Sequence, residues 1–115
     1  MNLASKECSQ CRGDTSSLPD KEIRRLFNAL HGWQLVDNHR LLKRYEFADF
    51  ASALEWVNTI GAISETQQHH PNIKLAWGEV EAEIWTHRIN ALTESDFILA
   101  AKFDAAEQAA SLPKL

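Results

Sequence analysis

The sequence predicts an α+β domain: a four-stranded antiparallel sheet with helices packed on one face, in the order helix-strand-strand-helix-strand-strand-helix. Three observations predict it. Apolar residues recur at helical spacing in three separate stretches. Between them, short alternating stretches come in pairs joined by turn residues, as hairpins do. No linker rich in proline, glycine or serine divides the 115 residues, so residues 18–115 read as one domain behind a flexible polar tail at 1–17.

The first helix opens at Pro19-Asp20, because proline suits the first helical turn and an acid suits its positive end. Ile23, Leu26, Phe27 and Leu30 form its apolar stripe, and Gly32 ends it. Residues 33–36 read as a short strand, Asp37-Asn38 as a turn, and the stretch through Phe47 as a second strand with Leu41, Tyr45 and Phe47 sharing a face. Asp49 is a suitable N-cap for the next helix, one side of which carries Phe50, Ala53, Leu54, Val57, Ile60 and Gly61. That helix runs to about Thr66, because Pro71 turns the residue before it away from helical geometry.

Strand three is expected over 73–77 and strand four over 80–89, with Gly78-Glu79 as a two-residue turn. Val80, Ala82 and Ile84 alternate with Glu81, Glu83 and Trp85, so one face is buried and the other is not. This register sets Trp77 opposite Val80 and, continued outward, His70 opposite His87. Thr93-Glu94-Ser95-Asp96 has the form of a capping box and opens the last helix. Phe97, Ile98 and Ala101 line one side of it. Leu99 and Phe103 lie on another, where they suggest a subunit interface.

A net charge of −4 without a basic stripe argues against nucleic-acid binding. Arg40, Lys43 and Arg44 cluster beside Glu46 and read as a solvated strand face. No apolar run approaches the roughly 18 residues of a membrane helix, and the N-terminus carries no hydrophobic signal region, so a cytoplasmic location is expected. Cys8 and Cys11 form a single CxxC in a polar segment. A structural zinc needs four ligands, so a loose tail and a shared metal site both stay open.

His69, His70 and His87 are the chemically informative residues. The hairpin register brings His70 and His87 to one face, and Glu65 stands one helical turn before His69. Imidazoles titrate near neutrality, so two of them in different surroundings can act as acid and base in one elimination. On spacing alone three readings stay open: a helix-end cap with a structural strand histidine, a zinc site, and acid–base catalysis. Asp96 also has a plain structural role, completing the capping box with Thr93. His31 and His39 read as surface or turn residues with no partner.

The run Glu65-x3-His69-His70-Pro71-x5-Trp77-x9-His87-x8-Asp96 resembles the signature of the pterin-4a-carbinolamine dehydratases. Trp33-Gln34, Phe47-x2-Phe50-x2-Ala53 and Thr93-Glu94-Ser95-Asp96-Phe97 are similar to that family as well, so the resemblance spans residues 19–105. Cys8-x2-Cys11-Arg12 resembles bacterial members that accompany phenylalanine hydroxylase. The resemblance implies a hydro-lyase acting on 4a-hydroxytetrahydropterin, with no cofactor and no metal. It implies His69, His70 and His87 as the acid–base set. Glu65, Gln68, Trp85, Thr86, Arg88 and Asp96 are implied around the substrate. Gln68, Ile73 and Ser95 depart from the acidic, aromatic and arginine residues of animal members. The family also implies a homodimer or homotetramer. It offers a second role, as a non-catalytic dimerisation cofactor for a protein partner.

Overall fold

The computed structural model describes residues 3–6 and 17–110. Cys8 and Cys11 lie outside them. The helices are α1 (Asp20–Phe27), α2 (Phe50–Gln67) and α3 (Glu94–Ala110). The strands are β1 (Gln34–Val36), β2 (Arg40–Glu46), β3 (Asn72–Ala76) and β4 (Glu79–Ile84). They form one antiparallel sheet in the order β1-β2-β4-β3, so the two hairpins lie side by side with β2 and β4 in the middle.

Alternation decides which face the helices cover. Leu41, Tyr45, Val80, Ala82 and Ile84 point inward and are buried with Ala53, Trp56 and Ile60 of α2 and Phe97, Leu99 and Phe103 of α3. Glu79, Glu81 and Glu83 point to the other face, where Arg44 pairs with Glu79 and Arg40 with Glu83. This solvated face bears out the reading of Arg44; Arg40 has a second contact described below. Lys43 instead alternates onto the inward side with Leu41 and Tyr45 and is buried against Asp104 and Glu107, which corrects its reading as a solvated residue.

Local chemistry sets the helix ends. Asp49 accepts a hydrogen bond from the Ser52 backbone N–H at 2.8 Å and starts α2. At the other end Gln68 takes a left-handed conformation with φ 55°, and the His69 N–H returns to the Ser64 carbonyl at 3.1 Å. That reversal aims His69 and His70 away from the helix axis. α1 stops at Phe27, a turn earlier than its apolar stripe suggested, and the chain then turns through Ala29 and Leu30.

The structure corrects several expectations. In the second hairpin Ala76 faces Glu79 and Leu75 faces Val80, so the loop is Trp77-Gly78 rather than Gly78-Glu79. The cause is a long-range contact. The Phe47 N–H bonds to the Gly78 carbonyl at 2.8 Å, and a Cβ at position 78 would come within 2.9 Å of the Phe47 carbonyl oxygen. The register therefore moves by two residues, and His70 is not the cross-strand partner of His87.

β4 also ends at Ile84 instead of running to residue 89. Beyond it the chain folds into a loop closed by paired backbone bonds between Thr86 and Ala91.

Leu99 and Phe103 do not form an outward surface; both are fully buried within the single chain. α3 is flanked by α2, by α1 and by the short 3-10 turn Leu3–Ser5. Lys102 donates to the Ala4 carbonyl at 2.7 Å, and Lys6 pairs with Glu94 at 2.7 Å. Residues 3–6, expected in a loose tail, thus lie against α3.

Candidate functional site

The site forms where three segments meet: the end of α2, the entry to β3 and the loop after β4. A cavity of about 190 Å³ opens there, lined by Gln68, His69, His70, Trp85, Thr86, His87 and Arg88. The three histidines singled out from the sequence thus border one space. They reach it by a different route from the one expected. The left-handed turn at Gln68 delivers His69 and His70, and the loop closed by Thr86 and Ala91 delivers His87 and Arg88.

His69 and His70 are each held by a carboxylate, in opposite settings. His69 is buried, and its Nε2 lies 2.5 Å from Oδ1 of Asp96, which is fully buried. A carboxylate accepting at Nε2 fixes a proton on that nitrogen and orients the ring. His70 is exposed, and its Nε2 lies 2.6 Å from Oε2 of the equally exposed Glu65. Among the described residues no carboxylate bonds to the imidazole of His87. Its ring stands perpendicular to the Trp85 indole, with centroids 4.2 Å apart at 88°.

Asp96 and Glu65 do not line the cavity, so both act from behind a histidine. Oδ2 of Asp96 accepts from the Thr93 N–H at 2.8 Å and from the Thr86 hydroxyl at 2.8 Å. The Thr86 hydroxyl in turn lies 2.9 Å from that of Thr93. Of the capping box foreseen at Thr93–Asp96, the bond from the Thr93 N–H to the Asp96 carboxylate is present, and the same carboxylate serves His69. Thr86 borders the cavity while its hydroxyl faces inward and its backbone is engaged by Ala91 and Ile89. Glu65 belongs to a neighbouring groove with Val57, Gly61, Pro71 and Ile73.

A model of the pterin 4 alpha carbinolamine dehydratase family matches residues 16–106. The chain belongs to this family. Pterin-4a-carbinolamine dehydratases are hydro-lyases, and the chain is an enzyme of that class. A protein of Rubrobacter xylanophilus assigned to pterin-4-alpha-carbinolamine dehydratase is 46% identical over 102 residues, covering 89% of this chain and 95% of its own length. One from Rickettsia canadensis with the same assignment is 46% identical over 104 residues, covering 90% and 95%. Among solved structures, a transcriptional coactivator/pterin dehydratase from Brucella melitensis superposes with a TM-score of 0.72 at 31% identity. It covers 78% of this chain and 97% of that one. A pterin dehydratase-like protein described as a RuBisCO assembly factor in the alpha-carboxysome gives a TM-score of 0.56 at 27% identity, covering 65% and 88%.

Sequence reasoning missed three residues that adjoin the walls of this cavity. His39, read as a residue without a partner, lies 3.0 Å from the Asn90 side chain through its Nε2. Asn90 adopts φ 52° and closes the turn that carries His87. Arg40 lies over the Trp85 ring, 5.0 Å from its centroid. The signal for Arg40 was the pairing of β2 with β4, which links strands from two different hairpins and has no local trace. Among the described residues no helix is long and apolar enough to cross a membrane.

Proposed function

We propose that the cavity binds 4a-hydroxytetrahydropterin and that its histidines expel the 4a-hydroxyl as water, leaving quinonoid dihydropterin. The carrying observation is that His69, His70 and His87 border one cavity of about 190 Å³. In the elimination the C4a–O bond breaks and a C4a–N5 double bond forms. One imidazole takes the N5 proton and another protonates the departing hydroxyl. The overall change is redox-neutral, so no redox cofactor is consumed.

His70 and His87, the exposed rings, serve as the acid–base pair, and His69, locked by Asp96, orients the bicyclic substrate. Glu65 holds His70 in place. Gln68, Trp85, Thr86 and Arg88 complete the wall around the pterin. Placed in the cytoplasm, the reaction returns a spent pterin to the form that a reductase can recycle for aromatic amino-acid hydroxylation.

Stopped-flow absorbance of 4a-hydroxytetrahydropterin decay tests the reading. Wild type should accelerate the decay well beyond buffer, and His70→Ala should lose about 10²-fold or more of that acceleration with its melting temperature unchanged. Decay at the buffer rate with wild-type protein would reject it.

A second reading, binding of another protein chain, is favoured by Phe50 and Leu54, which stand 44% and 41% exposed on α2. The same surface would serve a homodimer or homotetramer, the role first given to Leu99 and Phe103. Leu54→Glu should lower the mass measured by light scattering if that face is the interface.

A further inference from the structure

His87 differs from the other two cavity histidines. His69 and His70 are each fixed by a carboxylate on Nε2. Among the described residues the His87 imidazole has no hydrogen-bond partner, and its ring contact is the Trp85 indole. A reacting group must be held in place to be effective, since a displacement of about 1 Å can cost about 10²-fold in rate. What holds Trp85 therefore bears on His87.

The register of β2 with β4 supplies the answer. The last ladder pair is Leu41–Ile84, and one step further out Arg40 comes level with Trp85 on the face away from the core. There the Arg40 guanidinium lies over the indole, 5.0 Å from its centroid. Its Nη1 donates to Oε2 of Glu83 at 2.6 Å, so it is clamped between a carboxylate and a ring. Its Nε is buried with no hydrogen-bond partner. A buried donor left unmet is unfavourable, and the attraction of a cation to the face of an indole offsets it. The neighbouring His39 lies 6.3 Å from the same indole and bonds Asn90 at the far side of the His87 turn.

We propose that Arg40 is a positioning residue: stacked on Trp85, it presses the indole against His87 and does for that imidazole what Asp96 and Glu65 do for the other two. The proposal rests on the dehydratase reading for its effect on rate, while its structural part stands alone.

The test is Arg40→Met, with Arg40→Gln as a second variant, each alone and combined with Trp85→Leu. The His87 ring protons are followed by NMR, and kcat and KM for 4a-hydroxytetrahydropterin are measured. In the wild type the indole ring current displaces the His87 signals. Both Arg40 variants should move them toward the position seen in Trp85→Leu. They should also lower kcat about tenfold with KM changed less than about twofold. In the Trp85→Leu background the Arg40 change should add nothing. Unmoved His87 signals, an unchanged kcat, or additive effects in the double variant would each overturn the proposal. A wild-type protein that fails to dehydrate the pterin would reject the function reading instead, and the NMR result would still decide the role of Arg40.

Discussion

Asp96 lies behind His69, its Oδ1 2.5 Å from the imidazole Nε2, while its other oxygen accepts from the Thr93 N–H that opens α3. One carboxylate therefore ties the first turn of a helix to a ring that borders the histidine cavity. Both groups are buried, so neither has water as a substitute partner.

Asp96→Asn separates these duties. The amide oxygen can still accept from Thr93, but the amide nitrogen cannot accept the His69 proton. The expected result is a fall in catalysed 4a-hydroxypterin decay of about 10²-fold, with a loss of about 2 kcal/mol in unfolding free energy by urea titration. Thr93→Val keeps the backbone N–H and removes only the hydroxyl, which contacts Thr86 and Asp96, so it should cost less stability and less rate. Equal rate losses in the two variants would mean that Asp96 only caps its helix.

The far side of the core holds a second buried charge. The Lys43 ammonium, 8% exposed, donates to the His31 carbonyl at 2.7 Å, to Asp104 at 3.1 Å and to Glu107 at 2.7 Å. Asp104 also accepts from the His31 N–H and the Trp33 indole N–H, both at 2.9 Å. Lys43→Met should destabilise the fold by about 3 kcal/mol, because it strands the buried Asp104 carboxylate. Adding Asp104→Asn should recover a good part of that loss. Turnover per folded molecule should not change, since Lys43 does not border the histidine cavity. Denaturant titration and the stopped-flow assay check the two halves.

Asp49 gives α2 a pH dependence. The Ser52 backbone N–H holds its carboxyl below the ordinary carboxylate range. A carboxyl depressed on folding contributes stability above its unfolded pKa and loses it as pH falls through the lower folded value. Asp49→Ala should therefore melt below wild type at pH 7, with the gap narrowing toward pH 2. Asp49→Asn keeps the cap and should flatten that dependence in a series of thermal melts.

The sequence disclosed what local chemistry decides. Asp49 and Pro71 bracket α2, Thr93 and Asp96 announce α3, and the alternation at Val80, Ala82 and Ile84 assigns the buried face of β4. The three histidines were also recognisable as a set. What escaped depends on partners distant in the chain. Phe47 locks Gly78 and shifts the hairpin register. The segment Leu3–Ser5 lies against α3, where Leu99 belongs to the core rather than to an outward face. Arg40 reads as a solvated strand residue until β2 and β4 are known to be neighbours.

The most direct measurement is the decay of 4a-hydroxytetrahydropterin in the presence of the double variant His70→Ala/His87→Ala, followed by stopped-flow absorbance beside a thermal melt. Both rings border the cavity and neither supports the core, so the melt should match wild type while the decay returns to the rate in buffer. A folded double variant that still accelerates the decay to within about tenfold of wild type would contradict the account, because a positioned acid or base alone is worth ~10²–10⁴-fold.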